Sequence, residues 1–172
     1  MITLILFISC KKKNTPSPDY YMTLKVNGTE IKYTTCNESE TIVDDQTETT
    51  IAGYYSSALD KTAKMFEITL IADENNLKTG QVFQCQGINS ATYDNGSNVF
   101  FHYLTDSDDA YGVSSSPYNP IGKVTLTEVT PTYIKGTFSA LLGNNDGTVV
   151  LDTISSGTFY SSHNIHTGVI QY

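Results

Sequence analysis

Three aspartates within four positions, Asp106, Asp108 and Asp109 in TDSDDAYG, form the densest set of oxygen ligands in this chain. Calcium takes six to eight oxygens, and neighbouring carboxylates can supply several of them. The stretch lacks the D-x-(D/N)-x-(D/N)-G frame with its distant glutamate, so it reads as a solvated acidic loop first and a calcium candidate second. His163 and His166 form His-x-x-His. Zinc would need a third and usually a fourth ligand at comparable spacing, and no cysteine or carboxylate follows closely, so a surface loop is expected there. His102, inside VFFHYL, is expected to be a strand histidine packed or hydrogen-bonded in place. Acyl transfer needs a nucleophile beside a base, often on a G-x-S-x-G elbow, and the sequence has no such motif. No cofactor is called for.

Tyr54, Tyr55, Tyr93, Tyr103, Tyr111, Tyr118, Tyr133 and Tyr160 offer a second kind of chemistry. An aromatic face with a hydroxyl at its edge suits sugars, so these residues could build a glycan-stacking platform. Tyrosine is also a favoured strand residue whose hydroxyl reaches solvent at a sheet margin, and that structural role is the expectation. Polysaccharide hydrolysis would need two carboxylates paired in one cleft. The sequence supplies carboxylates but no rule that pairs them.

The elements that would position these groups have a period of two. YMTLKVNGTEIKYT reads as two strands around Asn27-Gly28, a type I′ hairpin signal in which both central residues take positive φ. Met22, Leu24 and Val26 should then face the core together with Ile31 and Tyr33. Phe66, Ile68 and Leu70 alternate with Glu67 and Thr69; Val124 and Leu126 alternate with Lys123, Thr125 and Thr127; Ile134, Phe138 and Ala140 alternate with Lys135, Thr137 and Ser139. Further strands are expected over 49–55, 81–85, 98–105 and 153–161, separated by turn clusters such as Asn144-Asn145-Asp146-Gly147. No helical period is present. The expectation is an all-β domain over 20–172, an antiparallel sandwich or a partly open barrel of about nine or ten strands. Two echoing segments, Lys135-Gly136-Thr137-Phe138-Ser139 and Ser156-Gly157-Thr158-Phe159-Tyr160, are expected to be neighbouring strands that use glycine to bend or to admit a large side chain from next door.

Every basic residue is a lysine, and 10 lysines against 18 acidic residues give a net charge of -8. Such a chain repels phosphate backbones rather than releasing their counterions, which argues against nucleic acid as a partner. The 12 tyrosines and 7 phenylalanines are too many for a disordered chain.

Met1 to Ser9 is an apolar run ending at Cys10, followed by Lys11, Lys12 and Lys13. It is too short to span a bilayer as a helix and resembles the end of a bacterial lipoprotein signal peptide. The resemblance implies that 1–9 is removed, that Cys10 is lipidated and that 10–19 is a tether. It leaves Cys36 and Cys85 as the one remaining pair of thiols. An envelope location permits a disulfide between them, which would stabilise the fold by about 4 kcal/mol in the chain-entropy model. Strand parity favours two separate thiols instead, because Cys36 shares the parity of the polar Glu30, Lys32 and Thr34 while Cys85 follows the inward Phe83. A bend after Thr35 would reopen the question.

The stretch GKVTLTEVTPTYIKGTFSALLGNNDGTVVLDTISSGTFYSS, preceded by a VNG hairpin, resembles uncharacterised lipoproteins of the Bacteroidetes, with their G-x-V-x-(I/L)-T strand, GTF strand, glycine-rich turn and closing GTF strand. The resemblance implies an all-β secreted lipoprotein domain and brings no functional residues with it. Asp152-Thr153-Ile154 is similar to the O-glycosylation motif of secreted proteins of that phylum. The expected role is a lipid-anchored, non-enzymatic binding or accessory module of the cell envelope, on the outer membrane. Its partners would be the membrane through the anchor and a glycan or an envelope protein. An envelope polysaccharide hydrolase and a lipocalin-like carrier of an apolar ligand are the alternatives. Three lysines directly after Cys10, where surface-exported relatives carry acidic residues, favour the periplasmic face.

Overall fold

A computed structural model describes residues 19–43, 46–54, 65–73, 77–85, 98–104, 110–112, 122–143 and 150–163. They form two antiparallel sheets that do not close into a barrel, the arrangement of a sandwich. The strands are β1 (Tyr21–Val26), β2 (Thr29–Tyr33), β3 (Thr35–Val43), β4 (Gln46–Tyr54), β5 (Met65–Asp73), β6 (Val82–Cys85), β7 (Asn98–Leu104), β8 (Ala110–Gly112), β9 (Gly122–Val129), β10 (Tyr133–Gly143) and β11 (Val150–Ser162). The six-stranded sheet runs β2-β1-β11-β10-β9-β6 and the five-stranded sheet β3-β4-β5-β7-β8. One cluster of buried residues draws on both.

The period of two explains the layers. Met22, Leu24, Tyr33, Phe66, Ile68, Leu70, Val124, Leu126 and Ile134 are all at most 1% exposed, each on the inward parity of its strand, while Val26 and Ile31 pack against the same cluster at its margin. Asn27 and Gly28 take φ of 49° and 85°, as a type I′ turn requires. Asn27 also ties the hairpin to β11. Its backbone N–H donates to Thr153 O (2.9 Å), its Oδ1 accepts from Thr153 N (2.8 Å), and its amide donates to Asp152 Oδ1 (2.6 Å). Thr153 is thus an exposed strand residue.

The two GTF segments are adjacent strands in reciprocal register. Gly136 faces Phe159, Thr137 faces Thr158, and Phe138 faces Gly157. A Cβ on Gly157 would lie 2.6 Å from Phe138 Cδ2, and one on Gly136 would collide with Phe159 Cζ. Each glycine therefore makes the space that the opposite ring fills. Phe138 stacks on Phe66 of the other sheet at 5.3 Å and contacts Phe159 at 6.3 Å, so this crossing joins the layers. Just before it, Ser156 sits at φ 52°, and the pairing of β11 with both β10 and β1 shifts register. This bulge restores parity, so that Ile154 and Phe159 both point inward, at 1% and 2% exposure.

The structure corrects the parity argument for Cys36. The chain bends at Thr34 and passes from the six-stranded sheet to the five-stranded one, so parity does not carry from β2 to β3, and Cys36 is fully buried. Cys36 and Cys85 are both free thiols. Cys36 is on the edge strand β3, whereas Cys85 is on β6, which packs on β7. Three strand spacings separate β3 from β7, about 14 Å, beyond the roughly 7 Å that a disulfide spans between Cα atoms.

The Gly136–Phe159 pair gives a direct test. Gly136→Ala should destabilise by about 1 to 3 kcal/mol through overpacking, and adding Phe159→Leu should recover part of that loss. A double-mutant cycle in urea reads the coupling; strictly additive losses would show that the ring does not depend on the missing Cβ.

Candidate functional site

Two groups of polar side chains gather where the strands bring distant parts of the chain together. The first is a buried corner where β3 meets the end of β11. Cys36, Glu38 and Glu40 share the inward parity of β3, and His163 follows β11, its backbone N–H donating to Thr132 O at 2.9 Å. His163 Nδ1 lies 2.8 Å from Glu38 Oε2, with the two side chains 6% and 2% exposed. One ligand atom from each of Glu38, Glu40 and His163 fits within 4.8 Å of the others. An imidazole nitrogen with two carboxylate oxygens is a donor set of the zinc or manganese type rather than of calcium. Glu38 and His163 form a buried acid–imidazole pair, and an inward carboxylate on an edge strand also guards that edge against pairing with another chain.

Cys36 adds no nucleophile to this corner. Burial pushes its thiol up to about 12, with the neighbouring Ser161 acting weakly in the other direction, and burial pushes Cys85 up to about 11. Both thiols are therefore neutral at physiological pH, and the thiolate is the reactive form.

The second group covers the outer face of the six-stranded sheet. Tyr160 stands edge-to-face with Tyr20, Tyr21 and Tyr133, the centroids 5.1, 6.1 and 5.3 Å away. Lys135 Nζ lies 4.9 Å from the Tyr133 centroid and 5.0 Å from that of Tyr160, and 2.8 Å from Glu128 Oε2. The Tyr133 hydroxyl donates to the other oxygen of Glu128. These two donors hold the Glu128 carboxyl below its usual range, and Glu128 in turn raises Lys135 and Tyr133. Thr130 shapes the connection that presents Tyr133: its Oγ1 accepts from Tyr133 N at 3.0 Å.

Strand register extends this group into rows. Tyr21, Tyr160, Lys135 and Glu128 are successive cross-strand partners, and the next row is Thr23, Thr158, Thr137 and Thr125, with Thr23 and Thr158 hydroxyls 2.7 Å apart. Beyond them the β11 bulge leaves a depression of about 350 Å³ lined by Lys123, Thr125, Thr137, Ser139, Ser156 and Thr158. Tyrosines, hydroxyls and lysines thus form a continuous surface.

Of the residues singled out in sequence, Tyr133 and Tyr160 meet on this face, while Tyr103 is in the core and Tyr54 is half-buried at the end of β4. Tyr20 and Tyr21 were not singled out. The signal for Tyr21 is the outward parity of β1, which gains meaning only once β1 is known to pair with β11, while Tyr20 precedes the strand and packs at the core margin. His102 is a strand residue with Nδ1 3.1 Å from Glu67 Oε2. His163, expected in a surface loop, is buried instead, because Glu38 of β3 supplies the partner that its polar ring needs. Cys10, Asp106, Asp108, Asp109 and His166 lie outside the described residues.

No family model matches the chain, and comparison with characterised proteins and with solved structures returns no match.

His163→Ala should destabilise by about 3 kcal/mol or more, since it strands the Glu38 carboxylate in the interior; Glu38→Gln, which removes the charge and keeps polar atoms, should cause less than half of that loss. Denaturant titrations of both variants check the order, and equal losses would assign the effect to packed volume. The thiols carry a separate expectation. Native Cys36 and Cys85 should resist thiol reagents that label them in denaturant, as read by peptide mass spectrometry that resolves them from Cys10. Because their folded values are raised, the stability tied to the neutral thiols is complete below about pH 9 and falls as pH climbs toward 11 to 12.

Proposed function

We propose that this chain is a lipid-anchored binding module of the cell envelope, tethered through Cys10 and Lys11–Asp19, which takes up glycan on the outer face of its six-stranded sheet. The anchor and the envelope location continue the resemblance to Bacteroidetes lipoproteins. The observation that carries the ligand class is the convergence of Tyr20, Tyr21 and Tyr133 on Tyr160 beside an ordered field of threonine and serine hydroxyls. Aromatic rings meet the apolar faces of sugars, and fixed hydroxyls exchange hydrogen bonds with sugar hydroxyls at little ordering loss, because they stand on paired strands.

A binding role fits the carboxylates better than hydrolysis does. Among the described residues the two that converge are Glu38 and Glu40, and the Glu38 side chain is 2% exposed, so it cannot flank a glycosidic bond. An apolar carrier also lacks support, since the sheets do not close and Phe66, Phe101, Phe138 and Phe159 occupy the space between them.

Titration with soluble polysaccharides tests the face. Tyr21→Ala and Tyr160→Ala should each weaken binding by about tenfold, a loss of about 1.4 kcal/mol, and undiminished affinity in both would remove this face as the site. Cys10→Ala should move the protein out of the membrane fraction or leave it unprocessed; unchanged partition would refute the anchor.

A further inference from the structure

The charges of the two sheets are segregated in a way that the net charge of -8 conceals. Lys25, Lys32, Lys123 and Lys135 all belong to the six-stranded sheet. The strands of the five-stranded sheet carry no lysine; of their glutamates Glu48 and Glu67 point outward, whereas Glu38 and Glu40 point toward the core. Parity puts all four lysines outward, because their strand neighbours Leu24, Tyr33, Val124 and Ile134 are buried. Lys25, Lys32 and Lys123 are exposed.

The carboxylates on this sheet are largely engaged. Glu128 holds Lys135 and the Tyr133 hydroxyl, and Asp152 accepts from the Asn27 amide. Glu30 faces Lys25 across the hairpin. Lys32 and Lys123 stand at the two flanks of the hydroxyl surface. Lys32 heads the threonine row as the partner of Thr23, and Lys123 lines the depression next to Thr125 at its other end. From Lys32 to Thr125 the row crosses five strands, about 20 Å.

We propose that the glycan taken by this face is a polyanion, a chain whose sugar units carry carboxylate or sulfate; the inference rests on the outer-face reading above and narrows it. A neutral glycan would leave Lys32 and Lys123 without a role and gain nothing from their placement on one side of an acidic protein. A polyanion pairs with them at the ends of the row, while its sugar hydroxyls meet the threonines between. The opposite sheet offers the polymer no lysine and turns two carboxylates, Glu48 and Glu67, outward, so the lysine-bearing face is the favoured one. An anionic bilayer also complements lysines, yet Tyr21 and Val82 are the only exposed large apolar side chains among the described residues of this sheet, too few to insert, and a bilayer has no use for a hydroxyl row.

The test compares charged and neutralised forms of one backbone, polygalacturonate and its methyl ester, dextran sulfate and dextran, binding to the full-length lipoprotein in detergent. At least one anionic chain should bind about tenfold or more tightly than its neutral counterpart, with affinity falling steeply as salt rises from about 0.05 to 0.5 M. Lys32→Gln combined with Lys123→Gln should abolish most of that preference and flatten the salt dependence, whereas Lys78→Gln, off the sheet, should change neither. Equal affinity for charged and neutral chains, still weakened by Tyr160→Ala, would overturn the polyanion and leave the glycan reading standing. Binding to neither chain, or to anionic phospholipid vesicles in their place, would overturn both.

Discussion

The reciprocal glycine–phenylalanine crossing between β10 and β11 is the constraint on which the two layers depend. Two phenylalanines placed directly opposite each other would compete for one volume on the inner face. Setting each ring over a glycine of the facing strand lets both lie flat within the layer. Phe138 then reaches Phe66 across the sandwich, and the buried rings of Phe101 and Phe159 pack around it. Glycine in a strand sacrifices side-chain contacts and backbone entropy, and here the recovered ring burial offsets that loss.

The same crossing sets the outer face. Because Gly136 and Gly157 fix the register, Thr137 and Thr158 between them must oppose each other outward, and Lys135 must oppose Tyr160. The bulge at Ser156 returns Ile154 to the core and opens the depression on the far side of the sheet. Core packing and surface chemistry are therefore two sides of one register, and a slip by one residue would exchange them.

How much of this was legible in sequence follows the chemistry of each strand. β1, β2, β5, β9 and β10 alternate apolar with polar residues because one side faces the core, so their existence and inward faces could be read directly. β3 could not. Its inward positions hold Cys36, Glu38 and Glu40, and the hydrogen-bond partner of Glu38 is 125 residues away in His163. A strand whose buried side is polar and whose partner is remote has no local signature. The disulfide question turned on the same strand, since parity counted from β2 fails where Thr34 carries the chain into the other sheet. The tyrosine cluster was half legible: Tyr133 and Tyr160 sit near the echoing GTF segments, whereas Tyr20 and Tyr21 join them only through the long-range pairing of β1 with β11.

That pairing also bears on the proposed anchor. β1 is the first strand after the Lys11–Asp19 segment, and it lies between the hairpin strand β2 and β11, in the sheet that carries the lysines and tyrosines. Tyr20, the first residue after the proposed tether of 10–19, already touches Tyr160. A tether over 10–19, as proposed, would attach at the rim of the tyrosine cluster and keep that face near its origin. The five-stranded sheet lies behind it, across the core. If Cys10 is lipidated, the polymer on the outer face is held close to the membrane surface, with the buried His163–Glu38 corner closing the edge strand β3 on the opposite sheet.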